Sequence, residues 1–83
     1  MGGHFRPVSE REVEAVLEHL GFQPRPRKSG TSHVNWVRGE GTPNYRRVTV
    51  DGNNSPFKDQ ALKWMLDQMG IRKKDFYAIL SKL

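Results

Sequence analysis

The 83-residue chain contains no cysteine. A disulfide framework and a thiolate zinc site are therefore excluded, and the absence fits a reducing compartment. The chain also lacks an apolar run near the roughly 20 residues that span a bilayer. Its first residues, Met1–Pro7, lack the apolar core of a signal peptide. We therefore expect a cytoplasmic protein with no membrane partner, folded as one domain over residues 1–83 with a flexible segment at residues 1–8.

The chain has neither a carboxylate pair nor a histidine cluster with metal-ligand spacing, so we expect no metal and no other cofactor. Acidic side chains are scarce in its middle third. The net charge is +5, and residues 21–50 carry six Arg or Lys side chains against the single carboxylate of Glu40. Such a concentrated positive field attracts polyanions in a salt-dependent way. Nucleic acid is therefore favoured as a partner over the alternative of a merely solvated basic surface.

The first predicted helix has a clear start and end in the sequence. Ser9 and Glu12 form a capping box, and Gly21 supplies the residue that can end the helix in a left-handed conformation. The apolar positions between them form one stripe: Val13, Val16, Leu17 and Leu20.

The second predicted helix runs from Phe57 to Met69, with Ser55 as N-cap, Pro56 at the first helical position and Gly70 after its end. Its apolar arc is broad enough to pack on a sheet and still meet a second partner. A short terminal helix follows, with apolar side chains at helical spacing: Phe76, Ile79, Leu80 and Leu83.

Three segments between the helices predict strands. Phe22–Lys28 is extended, and its two prolines confine it to a sheet edge. His33–Arg38 alternates around Val34 and Trp36, and Tyr45–Val50 forms a third strand. A turn at residues 29–31 and a loop at residues 39–44 join them. The order α-β-β-β-α-α predicts an α+β two-layer sandwich, with a three-stranded antiparallel sheet and helices on one face.

Alternation along the strands sorts their side chains between the two faces of the sheet. We expect Val34, Trp36, Val48 and Val50 to face the helices, and both Trp36 and Trp64 to lie in the core. The opposite, uncovered face then gathers mostly polar and basic side chains: Arg25, Arg27, His33, Asn35, Tyr45, Arg47 and Thr49.

This uncovered face suits RNA cleavage. A neutral His33 imidazole can take a proton from a 2′-hydroxyl, and its protonated form can give one to the leaving 5′-oxygen. The arginines can hold phosphate, and Tyr45 can stack on an unpaired base. Two alternatives remain open. The same face suits a non-catalytic RNA-binding module, and the broad second helix suits a domain that docks on another protein.

Several short motifs resemble those of the HicA family. Leu20-Gly21-Phe22, a basic strand and Gly30-Thr31-Ser32-His33 resemble its G-F…R…G-S-x-H pattern, with Thr31 where the family has serine. Arg46–Val50 resembles the strand that follows, and Leu62–Ile71 resembles a helix ending in G-I. The resemblance covers residues 9–80.

The resemblance implies a fold like the double-stranded RNA-binding domain. It also implies an mRNA interferase, which is an endoribonuclease toxin of a type II toxin–antitoxin pair, inhibited by a HicB-like antitoxin. The position that matches the family's catalytic histidine is His33. The expected RNA-binding residues are Arg25, Arg27, Lys28, Ser32, Asn35, Tyr45 and Arg47.

The chain departs from the family pattern at two places. Family members often carry a proline and a histidine after the third strand, whereas this chain has Asp51-Gly52-Asn53. The loop Gly39–Asn44 is also longer than the family's second hairpin. Both departures affect the expected substrate preference and antitoxin contacts.

Overall fold

The computed structural model describes residues 6–26 and 33–83. This part of the chain forms α1 (Glu10–His19), β1 (Gln23–Pro24), β2 (His33–Arg38), β3 (Arg46–Asp51), a 3-10 turn (Gly52–Asn54), α2 (Asp59–Met69) and α3 (Lys73–Leu80). The strands form an antiparallel sheet in the order β1-β2-β3. The predicted α+β fold is therefore confirmed, whereas the predicted turn at residues 29–31 lies outside the described residues.

Helix α1 begins with the predicted capping box. The Glu12 N–H donates to Ser9 Oγ at 3.1 Å, and the Ser9 N–H donates to Glu12 Oε1 at 2.8 Å. Each side chain thus satisfies a backbone donor that the first turn of a helix leaves without a partner. Gly21 follows the helix with a φ of +91°, a conformation that favours glycine. Both predicted ends of α1 are confirmed.

The three strands pair in the order that the sequence predicts. β2 has the predicted bounds, and β3 begins and ends one residue later than expected. β1 lies at the edge but extends for only Gln23–Pro24, shorter than the predicted strand, because a proline has no N–H to donate to a ladder. One further bond, from the Arg25 N–H to the Asn35 carbonyl at 2.8 Å, continues the pairing beyond it.

One hydrophobic core lies between the sheet and the helices. It joins Trp36, Val48 and Val50 of the sheet with buried side chains from all three helices: Val13, Val16, Leu17, Leu62, Met65, Leu66, Met69 and Phe76. Because these sheet residues share one face, the helices cover that face.

Trp64 is 62% exposed. The prediction that both tryptophans lie in the core is therefore wrong for Trp64. The buried residues of α2 are Leu62, Met65, Leu66 and Met69. Successive helical residues are about 100° apart, so Trp64 projects far from the direction of Leu62. The predicted arc of α2 was broader than the face that packs in the core.

The start of α2 also differs from the prediction. Ser55 is not its N-cap, because the helix begins at Asp59 and Ser55 Oγ accepts the Glu10 N–H at 3.2 Å. Phe57 is extended and exchanges two backbone hydrogen bonds with Val8, at 2.9 and 2.7 Å. Val8, one of the residues 1–8 that the sequence predicts to be flexible, is buried.

Candidate active site

The uncovered face of the sheet carries three cross-strand pairs. The register places His33 opposite Asp51, Asn35 opposite Thr49 and Val37 opposite Arg47. These residues alternate with the core residues of β2 and β3, so their side chains lie on the face away from the helices. Val37 is an apolar exception on this face and is only 6% exposed.

His33 lies beside a carboxylate at one end of this face. Its Nε2 is 3.0 Å from Asp51 Oδ2, and the two side chains are 58% and 23% exposed. Asp51 is in turn held by the 3-10 turn that follows it. Its Oδ1 accepts the Asn53 N–H at 3.0 Å, and its Oδ2 accepts from Asn54 Nδ2 at 3.4 Å. The carboxylate is therefore oriented by backbone and side chain while it contacts the imidazole.

This arrangement can support acid–base chemistry. A carboxylate that accepts Nε2–H selects the tautomer whose lone pair is on Nδ1, and it fixes the orientation of the ring. When the ring takes up a proton, the adjacent negative charge stabilises the imidazolium. The geometry would therefore allow His33 to transfer protons while Asp51 positions its ring.

Sequence reasoning missed Asp51 because Asp51-Gly52-Asn53-Asn54 has the composition of a turn. One signal was available. The alternation of Arg47 and Thr49 on the uncovered face continues to Asp51, and a hairpin brings the last residue of its second strand opposite the first residue of its first strand.

Asn35 and Thr49 form the next polar pair along the face. Thr49 Oγ1 donates to Asn35 Oδ1 at 2.8 Å. The pair is two strand positions from His33 and Asp51, which corresponds to about 7 Å. Asn35 therefore lies close to His33 on the same face.

The other predicted RNA-binding residues are not all gathered at His33. Arg47 is four strand positions from Asp51, about 13 Å, and exposed Tyr45 is about 20 Å away. Arg25 is exposed but forms an ion pair with Glu40. The remaining predicted residues, Arg27, Lys28 and Ser32, lie outside the described part of the chain.

A family model described as the HicA toxin of bacterial toxin–antitoxin systems matches residues 11–71. The chain belongs to the HicA toxin family. The match includes His33, Asp51 and the whole sheet. A search of curated proteins and a search of solved structures each returned no match. Membership of a toxin–antitoxin family suggests an antitoxin as a partner of this protein.

Two arginines of the basic middle third form contacts that stabilise the fold. Arg38 Nη1 donates to the Leu20 carbonyl at the end of α1, at 3.0 Å, and its guanidinium lies 4.6 Å from the centre of the Phe22 ring. Arg46 Nη1 donates to the Gln68 carbonyl near the end of α2, at 3.4 Å. Cations at helix C-termini interact favourably with the helix dipole. These two charges therefore lie on the helix side of the sheet.

No group of three or more His, Asp or Glu side chains within residues 6–26 and 33–83 is arranged to hold a metal ion. In the same part of the chain, no helix has the length and apolar character needed to cross a membrane.

Proposed function

We propose that this HicA toxin is a metal-independent endoribonuclease that cleaves mRNA, with His33 as its general acid–base and a HicB-like antitoxin as its inhibitor. The observation that carries the proposal is the 3.0 Å contact between His33 Nε2 and Asp51 Oδ2 on an exposed sheet face. Membership of a toxin family supports it.

The proposed reaction uses one proton carrier. The imidazole takes the proton of a 2′-hydroxyl, whose oxygen attacks the adjacent phosphorus and forms a 2′,3′-cyclic phosphate. The bond from phosphorus to the 5′-oxygen breaks, and the imidazolium gives the proton to that oxygen. Asp51 keeps the ring oriented and stabilises its charged form between the two transfers.

The substrate strand would lie along the sheet face. Asn35, which lies beside His33, would contact the nucleotide there, and Arg47 and Tyr45 would contact nucleotides further along. Charge-assisted bonds from arginine hold phosphate, and an exposed tyrosine stacks on an unpaired base. Arg25 would join them once its ion pair with Glu40 opens. Arg27, Lys28 and Ser32, which precede β2, complete the proposed RNA-binding set.

The test is cleavage of single-stranded RNA by purified protein in the presence of EDTA. We expect His33→Ala to bind RNA but to cleave it about 10²- to 10⁴-fold more slowly, since that is the usual contribution of a positioned acid–base group. The matched control is His19→Ala, because His19 is an exposed histidine at the end of α1. It should cleave like the wild type. Equal cleavage by His33→Ala would exclude His33 as the acid–base group.

A non-catalytic RNA-binding module is the second candidate. The observation in its favour is that Arg47 lies about 13 Å along β3 from Asp51, the partner of His33. An arginine at that distance can bind an RNA phosphate without contacting the phosphate at His33. Binding of RNA by the wild type with no cleavage would establish this function instead.

A further inference from the structure

An exposed tryptophan borders a small cavity beside the His33–Asp51 pair. The cavity lies between β3 and α2 and has a volume of about 210 Å³. Trp64, Phe57 and Met65 supply apolar walls, while Asp51, Asn54 and Gln68 supply polar groups. Large apolar side chains that remain exposed beside polar groups commonly mark a binding site.

Asp51 links this cavity to the candidate active site. The residue lines the cavity and also places its Oδ2 3.0 Å from His33 Nε2. A ligand strand whose phosphate reaches His33 would therefore pass close to the cavity. A base that the strand turns toward the cavity would contact Trp64.

We propose that the cavity binds one unpaired nucleobase of single-stranded RNA, next to the cleaved bond, with Trp64 stacking on the base. This proposal rests on the proposed ribonuclease function. A cavity of about 150 Å³ accommodates benzene, so about 210 Å³ suits a somewhat larger ring. Side-chain amides such as those of Gln68 and Asn54 can pair with the edge of a base.

The edge of β3 favours a base over a protein strand at this position. Thr49 donates its outward N–H to Gln68 Oε1 at 3.1 Å. A strand that added itself to the sheet would need this donor and would have to displace Gln68. A stacked base needs only the face of Trp64 and leaves the hydrogen bond in place.

The first test measures binding without cleavage. The probe is a single-stranded oligoribonucleotide with a 2′-O-methyl group at every position, which removes the attacking hydroxyl. We expect Trp64→Ala to weaken its binding about 5- to 150-fold, the range for loss of one base–aromatic stack, and Trp64→Phe to keep most of the affinity. Leu83→Ala is the matched control. Leu83 is 59% exposed, follows α3 and lines a different cavity, between α1 and α3. It should bind like the wild type.

The second test locates the base. The chain has two tryptophans, so in a Trp36→Phe background Trp64 is the only indole fluorophore. We expect the oligonucleotide to quench its fluorescence. In a series of probes with one abasic position each, we expect the quenching to disappear only when the missing base adjoins the bond that the wild type cleaves.

The outcomes separate this proposal from the proposed function. A protein that cleaves RNA but shows neither quenching nor an effect of Trp64→Ala would overturn the base-binding site alone. Quenching and tight binding without cleavage would support the site and overturn the nuclease activity. If Trp64→Ala lost antitoxin binding but kept RNA binding, Trp64 would be assigned to a protein contact and the proposal would be overturned. A wild type that binds no RNA would overturn both.

Discussion

At the residue scale, the two oxygens of Asp51 have different roles. Oδ1 accepts the Asn53 N–H at 3.0 Å and so fixes the start of the 3-10 turn. Oδ2 lies against His33 Nε2. Because the turn holds the carboxylate, the imidazole is oriented by the fold rather than by a mobile side chain. Such preorganisation is what a proton-transferring residue requires.

Asp51→Asn tests this positioning role. The amide keeps an oxygen for the Asn53 N–H but loses the charge that stabilises an imidazolium, and it can select the other tautomer. We expect the cleavage rate constant to fall about 10- to 100-fold, the range for carboxylates that orient metal-bound histidines. Affinity for the 2′-O-methyl probe should not weaken. Single-turnover cleavage and fluorescence anisotropy measure the two quantities, and a rate equal to that of the wild type would contradict the role.

The sequence was sufficient to place His33 but not its partner. Alternation around Trp36 puts His33 on the uncovered face, since this is a property of one strand. The contact with Asp51 depends on the register between two strands, which is set by tertiary packing and by the loop between them. For the same reason the structural roles of Arg38 and Arg46 were not visible, because each pairs with a helix end distant in sequence.

At the element scale, local sequence signals predict the end of α2 correctly but not its start. Gly70 ends the helix as predicted, with a φ of +80° that favours glycine in any context. The start was wrong because Ser55 and Phe57 bond with the segment before α1 instead of capping α2. Local chemistry therefore fixed the end of the helix, and pairing with Val8 fixed where it could begin.

Gly70→Ala tests the end of α2. An added Cβ would lie 2.6 Å from Arg46 Cζ, so the variant combines a strained left-handed φ with displacement of Arg46. We expect the free energy of unfolding to fall by about 1–2 kcal/mol or more, measured by urea denaturation. Gly41→Ala is the matched control, because its φ is +82° but nothing lies within 4 Å of its Cβ. A loss no larger than that of Gly41→Ala would show that the Arg46 contact has no effect on stability.

At the scale of the whole molecule, the net charge of +5 is a poor guide to where RNA would bind. Arg38 and Arg46 bond with helix ends, and Arg25 is paired with Glu40. α1 carries Glu10, Glu14 and Glu18 along one edge, and burial, together with the charges of Glu10 and Glu18, raises the pKa of Glu14. The negative charge of the helix layer is therefore concentrated at α1, and polyanions are expected to avoid that helix.

Glu40→Gln should make the positive charge of Arg25 available to bind RNA. The substitution removes one negative charge and releases Arg25 from its ion pair, so an extra phosphate contact becomes available. Since exposed ion pairs contribute about 0.2–1 kcal/mol, we expect the 2′-O-methyl probe to bind up to about fivefold more tightly at low salt. Each added phosphate contact on single-stranded RNA makes the slope of log affinity against log salt steeper by about 0.7.

Anisotropy titrations over a range of KCl concentrations measure this slope. The matched control is Glu18→Gln, which makes the same charge change on the exposed side of α1. It should leave the slope unchanged, because Glu18 has no part in the sheet face. If both variants steepened the slope equally, overall charge would govern RNA binding. A change confined to Glu40→Gln would instead show that RNA binds at the end of the sheet where Arg25 lies, and that Glu40 weakens this binding in the native protein.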